Sequence, residues 1–225
     1  MAANSSSRCD ILVVGATGLV GDAFLRQSKA HQQQLKITAL VRKPGRLPAD
    51  TAVEIVAPND QWPEIIASLQ PEAVFCALGT TIRQAGSQAA FRGVDFELVA
   101  AVAGAAKSSG AMHFITVSSV MANARARSFY LKTKGEAEEA LIAEGFERLD
   151  LLRPGLLRGD RRELRLGELI GAAASPIVDH LLLGPFKKFR SVHADTVALA
   201  ALNLLTAKEP GCFIHDSEQL RELSN

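Results

Sequence analysis

The chain contains a single tyrosine, in the run Tyr130-Leu131-Lys132-Thr133-Lys134. Residues four apart share one face of a helix, so the Tyr130 phenol and the Lys134 ammonium are expected to point together. A nearby cation favours phenolate and lowers a tyrosine pKa from its reference of about 10. Tyr130 would then donate a proton to a carbonyl, or accept one from an alcohol, nearer neutral pH. Upstream, Ser118-Ser119 closes an apolar run. A hydroxyl there can hydrogen-bond a substrate carbonyl and stabilise developing charge. Ser119 is the expected active serine and Ser118 a supporting one. The candidate catalytic set is Ser119, Tyr130 and Lys134, with Lys134 also expected to hold a nicotinamide ribose.

A second constellation is built from glycine. Gly15-Ala16-Thr17-Gly18-Leu19-Val20-Gly21 follows the apolar run Cys9 to Val14 and opens a helical pattern. That is the context a dinucleotide-binding loop requires, here with the spacing G-x-x-G-x-x-G. Glycines let backbone N–H groups approach a pyrophosphate, and a helix N-terminus offers unpaired donors. Gly15, Thr17, Gly18, Leu19, Val20 and Gly21 are therefore candidate cofactor residues. The next apolar run ends Leu40-Val41-Arg42-Lys43, with two cations where an NAD site usually places a carboxylate. A guanidinium can pair bidentately with a 2′-phosphate. Arg42 and Lys43 thus point to NADP(H) in preference to NAD(H). Leu78-Gly79-Thr80 follows the fourth run, at the strand end where ligands bind in an open α/β sheet. Gly79 would serve either close approach of a cofactor or the turn alone.

These residues need a scaffold, and the chain predicts one. Strand-like runs at Cys9 to Val14, Lys36 to Val41, Val53 to Val56, Ala73 to Cys76, Met112 to Val117 and Leu149 to Arg153 alternate with helical patterns. The helices are expected at Leu19 to Gln33, Pro63 to Leu69, Gln88 to Ser109 and Phe129 to Glu144. Such alternation argues for an α/β, Rossmann-like, doubly wound parallel sheet. After Gly155 it weakens, to helices at Arg162 to Ala174 and Ala194 to Leu205 and a short strand at Cys212 to His215. That tail, about 155–225, is expected to be a small C-terminal substrate-capping segment of one NAD(P)-binding domain spanning the 225 residues, whose first residues, 1–8, are expected to be a short disordered tail.

Composition narrows the class. Hydrophobic residues are 48%, charged residues 22% and the net charge +1, as in an ordinary globular protein with no basic stripe for nucleic acid. No apolar run reaches the roughly 20 residues of a membrane span. The start, Met1 to Ser7, lacks a secretory h-region, so a cytoplasmic location is expected. Cys9, Cys76 and Cys212 are far apart and read as reduced core residues. The five histidines have no metal-ligand spacing. Asp195 is expected to cap the helix after it and Trp62 to anchor packing. Arg158, Arg161, Arg162 and Arg165, interleaved with Asp160 and Glu163, read as a solvated face from which one arginine could select an acidic substrate.

Taken together, Gly15-x-x-Gly18-x-x-Gly21, Ser119, Tyr130-x-x-x-Lys134 and Arg153-Pro154-Gly155 resemble the short-chain dehydrogenase/reductase superfamily. Leu78-Gly79-Thr80-Thr81, Val94-Asp95, His113-Phe114 and Leu152 to Leu157 followed by Asp160-Arg161 resemble its atypical branch, the oxidoreductases similar to the HIV Tat-interacting protein. The resemblance covers about Ile11 to Leu205. It implies the sheet order 3-2-1-4-5-6, NADP(H) binding, and a nicotinamide pocket lined by Pro154, Gly155 and Leu156. Many members carry an Asn of a proton relay on the helix after strand four, where this chain reads Val94-Asp95. The expected function is NADP(H)-dependent oxidation or reduction of a small carbonyl or alcohol. Two alternatives stay open: an NADP(H)-binding regulator or sensor with a protein partner and little turnover, and an epimerase or dehydratase. A homodimer could form across Gln88 to Ser109 and Phe129 to Glu144.

Overall fold

A computed structural model describes residues 8–44, 47–159 and 190–225. The expected N-terminal tail through Ser7, the helix Arg162 to Ala174, and Arg161, Arg162 and Arg165 of the arginine cluster lie outside the described residues.

Seven parallel strands form one sheet: β1 (Cys9–Val14), β2 (Leu35–Val41), β3 (Val53–Val56), β4 (Ala73–Cys76), β5 (His113–Val117), β6 (Arg148–Leu152) and β9 (Gly211–His215). Their order is β3-β2-β1-β4-β5-β6-β9, which contains the expected 3-2-1-4-5-6 and adds a seventh strand at the edge. Central strands read as unbroken apolar runs because helices bury both their faces. Ile11 to Val14 and Val74 to Cys76 are at most 1% exposed. A short separate parallel ladder pairs β7 (Leu157–Arg158) with β8 (Val192–His193).

On one face, α1 (Leu19–Ser28) packs beside α7 (Ala194–Leu204). Phe24 there stacks on Phe75 with ring centroids 4.3 Å apart. On the other face, α2 (Trp62–Leu69), α5 (Val99–Ser108) and α6 (Phe129–Ala143) cover the sheet. Alanines at 103 and 106 of α5 are fully buried, small enough for α5 to lie close to the strands. Trp62 is the anchor expected: it is 2% exposed and its Nε1 donates to the Ala57 carbonyl at 3.0 Å. Among the described residues, no helix is long and apolar enough to cross a membrane.

Several expectations change. The long helix Gln88 to Ser109 is three pieces: α4 (Gln88–Arg92), a π-helical segment Gly93–Leu98, and α5. The polar stretch Leu78 to Ser87 before it holds a single helical turn, α3 (Ile82–Ala85). The described part of the C-terminal segment does not merely cap: β9 completes the sheet, and α7 and α8 (Ser217–Leu223) cover a face. Asp195 is not the cap of α7. The cap is His193, whose Nδ1 accepts from the Asp195 N–H at 3.4 Å. Asp195 instead ties α7 to α1, its carboxylate 3.2 Å from Arg26 and its carbonyl 3.0 Å from Gln27 Nε2. Of the three cysteines, all free, Cys76 is buried as expected but Cys212 is exposed on β9.

Candidate active site

The glycine loop is a close-packed cradle at the carboxyl end of β1. Gly15 has φ +78°, and a Cβ there would stand 2.4 Å from the Ala77 carbonyl carbon. A Cβ on Gly21 would stand 2.3 Å from the Gly15 oxygen. The loop is therefore folded against both the end of β4 and its own helix, at distances that admit no side chain. Gly18 is the N-cap of α1 and supplies no side-chain cap, so the first N–H groups of the helix stay open to a ligand. Thr17 and Gly18 are exposed, Leu19 is half-buried, and Val20 is 5% exposed and belongs to the core. The close packing at Gly15 and Gly21 and the uncapped α1 N-terminus at Gly18 are features that fit the pyrophosphate of a dinucleotide.

Arg42 and Lys43 follow β2 directly, next to β1 through the register Val14↔Leu40. Both are exposed, and no ion pair engages either among the described residues.

The turn after β4 joins this cradle to α6. Leu78 and Thr80 are half-buried and Gly79 is exposed. Gly79 does not have a left-handed φ, so the turn itself does not demand glycine. A Cβ there would lie 3.5 Å from Asp95 Oδ1 and 3.7 Å from Lys134 Nζ. Gly79 thus lies directly over the Lys134–Asp95 pair.

Tyr130, Lys134 and Glu138 occupy successive turns of one face of α6, as the four-residue spacing requires. Tyr130 is half-buried, its ring 5.6 Å from that of Phe91 on α4. Lys134 is 7% exposed; its Nζ is 2.8 Å from Asp95 Oδ1 and 3.5 Å from the Val117 carbonyl. Burial disfavours the ammonium, but Asp95 and then Tyr130 outweigh it, and the Lys134 pKa is raised above its ordinary value. Glu138 is 4% exposed and receives Arg153 from the end of β6.

The serines follow the carboxyl end of β5 directly. Ser118 is buried and lines a small cavity of about 10 Å³ with Asp95, Thr116, Lys134 and Glu138. Ser119 is half-buried, its Oγ 3.3 Å from the Val120 carbonyl. The loop after Ser119 is laid onto α6: Asn123 N–H donates to the Leu131 carbonyl at 3.1 Å. A Cβ on Gly135 would be 2.2 Å from Ala124 N, so this docking depends on a bare backbone in the helix. Pro154 is buried and its carbonyl accepts from Val120 N–H at 3.0 Å. Gly155 N–H donates to Ser217 Oγ at 2.9 Å, and Leu156 is 49% exposed.

The sequence reading missed Asp95 as the partner of Lys134, together with Glu138, Gly135 and Ser217. Following the Tyr130–Lys134 stripe one turn further would have reached Glu138. Nothing in the sequence pattern announces the others, because each acts through a contact between distant segments.

With that geometry in view, comparison with known proteins is decisive for the family. A family model described as NAD(P)H-binding matches residues 15–178. The chain belongs to this NAD(P)H-binding family. It is 33% identical over 198 residues to Protein FMP52, mitochondrial, of Saccharomyces cerevisiae, covering 86% of each chain. It is 41% identical over 153 residues to the FMP52 protein of Eremothecium gossypii, covering 67% of each. In fold it is similar to the ADP-L-glycero-D-manno-heptose-6-epimerase of Helicobacter pylori, with a TM-score of 0.72 at 14% identity over 99% of this chain and 82% of that one. It is similar as well to MoeE5, solved in complex with UDP-glucose and NAD, with a TM-score of 0.70 at 17% identity over 92% and 75% of the two chains. The fold of this NAD(P)H-binding protein is accordingly that of the atypical short-chain dehydrogenase/reductases. One expectation falls: its FMP52 relatives are named mitochondrial proteins, which points away from the cytoplasm. That expectation rested on the lack of a secretory or membrane-spanning segment, and neither bears on mitochondrial import.

Proposed function

We propose that this protein is an NADP(H)-dependent oxidoreductase acting on a small carbonyl or alcohol substrate. The observation that carries the reading is the placement of Lys134, buried under Gly79 with Tyr130 one turn before it on the same helical face. Gly79 is two residues from Ala77, which abuts Gly15 of the cradle. A dinucleotide held by the cradle would supply or take the hydride. Gly15, Thr17, Gly18 and Leu19 would hold its pyrophosphate, and Arg42 and Lys43 the 2′-phosphate that makes NADP(H) the preferred form. Pro154 to Leu156 would border its nicotinamide end.

The remaining chemistry belongs to the chain's own side chains. Tyr130 holds the proton that a reduced carbonyl oxygen needs and receives it back when an alcohol is oxidised. Lys134, kept charged by its surroundings, favours the phenolate left behind. Ser119 orients the carbonyl by a hydrogen bond that strengthens as charge develops on the oxygen. A panel of aldehydes, ketones and quinones, followed by NADPH consumption, tests the assignment with Tyr130→Phe as control. Turnover is expected to fall by about 10²- to 10⁴-fold in the variant with NADPH affinity retained. Undiminished turnover removes Tyr130 from the reaction. Tight NADPH binding with no turnover on any substrate favours a cofactor sensor instead.

A further inference from the structure

Asp95 stands where the superfamily often has the relay asparagine, and its surroundings assign it a different task. It is 1% exposed and sits in the π-helical segment Gly93–Leu98. A π-turn inserts an extra residue into a helix and re-aims the side chains around it, commonly at functional sites. Here both carboxylate oxygens are used: Oδ1 lies 2.8 Å from Lys134 Nζ, and Oδ2 accepts from the Thr80 N–H at 2.8 Å. One side chain therefore joins α6 to the turn after β4.

We infer that Asp95 is the positioning residue of the site: it fixes the Leu78–Thr80 turn against α6 and keeps Lys134 charged beneath the opening that Gly79 leaves. This rests on the proposed function in one respect, that the opening is where the cofactor is held. The described contacts of the ammonium are the Asp95 carboxylate at 2.8 Å and the Val117 carbonyl at 3.5 Å, and the Cβ position of Gly79 lies 3.7 Å from Nζ. The other groups facing Lys134 do not substitute for Asp95. Burial pushes the Cys76 thiol of β4 up to about 11, so it is uncharged near neutrality. Glu138, one turn along α6, is taken up by Arg153. Tyr130 contributes less than Asp95. Thr116 and Ser118 of the β5 end carry no charge.

Asp95→Asn keeps the shape and an oxygen for Thr80 but removes the charge, so the strongest opposition to burial at Lys134 is lost. Gly79→Ala keeps both partners and adds a methyl at ordinary contact distance over them. The test uses the full chain labelled with ¹³C-lysine, with the Lys134 Cε signal assigned by its loss in Lys134→Arg. Its titration is followed by NMR and NADPH affinity is measured by fluorescence across the same pH range. In Asp95→Asn the Lys134 midpoint is expected at least one pH unit below wild type, with NADPH affinity falling at least tenfold through that midpoint while wild type stays level. In Gly79→Ala the Lys134 midpoint is expected unmoved and NADPH affinity at least fivefold weaker. Superimposable Lys134 titrations in wild type and Asp95→Asn, or an affinity loss equal at every pH, overturn the inference. A shifted titration with NADPH affinity unaffected in both variants upholds the hold on Lys134 and sinks the cofactor reading of the opening.

Discussion

Arg153 grips Glu138 with two parallel hydrogen bonds, its Nε donating to Oε1 at 2.9 Å and its Nη2 to Oε2. Glu138 closes the stripe of α6 that begins with Tyr130 and Lys134, and Arg153 begins the Arg153-Pro154-Gly155 exit from β6. The helix bearing the candidate acid/base is thus strapped to the segment expected to border the nicotinamide. The Glu138 side chain is 5% exposed and that of Arg153 25%. Arg153→Met leaves a buried carboxylate unpaired and is expected to cost about 3 kcal/mol of stability in urea unfolding. Glu138→Leu combined with Arg153→Met should recover much of that loss, since no stranded charge remains. A single variant indistinguishable from wild type would show that the pair is solvated.

Asp150 makes the unfolding of this protein sensitive to acid. It is fully buried in β6 and accepts from His113 Nε2 at 2.7 Å, His215 Nε2 at 2.6 Å and Arg148 Nε at 2.7 Å. Burial alone would raise its pKa, but the hydrogen bonds from both histidines and Arg148 hold it well below the usual carboxylate range. A carboxylate depressed on folding contributes stability that is present above its unfolded pKa, about 3.9. That contribution is lost as pH falls below this value toward the folded pKa. Denaturant midpoints measured downward from pH 5 should therefore decline more steeply in wild type than in Asp150→Asn. Parallel slopes would mean that Asp150 is not held ionised.

The two glycines that shape the cradle differ from the one beside them in how much room they have. Gly21→Ala would place a methyl 2.3 Å from the Gly15 oxygen, against 3.2 Å for Gly18→Ala. Overpacking of this kind costs about 1–3 kcal/mol or more. Gly21→Ala is expected to lower the melting temperature clearly and Gly18→Ala only slightly. The reverse ranking would place the α1 N-terminus differently from its described position.

Ser217 tests the link between the C-terminal helix and the site. It is fully buried at the start of α8 and accepts the Gly155 N–H. Ser217→Ala leaves that donor unsatisfied, at a cost of about 1–3 kcal/mol. If Gly155 borders the nicotinamide, NADPH affinity should fall with it. Lost stability with unaltered affinity would separate this turn from the cofactor.

The strand-and-helix alternation, the glycine loop, the two cations after β2 and the Tyr130–Lys134 spacing are all legible in the chain. Each depends on neighbours a few residues apart: apolar runs that must be buried on both faces, a turn too tight for side chains, a helical period of four. Ala73 to Cys76 appears as a strand at the expected residues for that reason, whereas Val53 to Val56, also at the expected residues, is a mostly exposed edge strand. What the spacing could not contain is which distant group meets Lys134 and which holds the exits of the strands. Asp95 reaches Lys134 through a π-turn, Glu138 is claimed by Arg153, and Gly155 by Ser217 from 62 residues away. Charge burial is decided by such meetings between remote segments, because a buried ion is stable only beside its partner, and the partner is chosen by the fold rather than by adjacency along the chain.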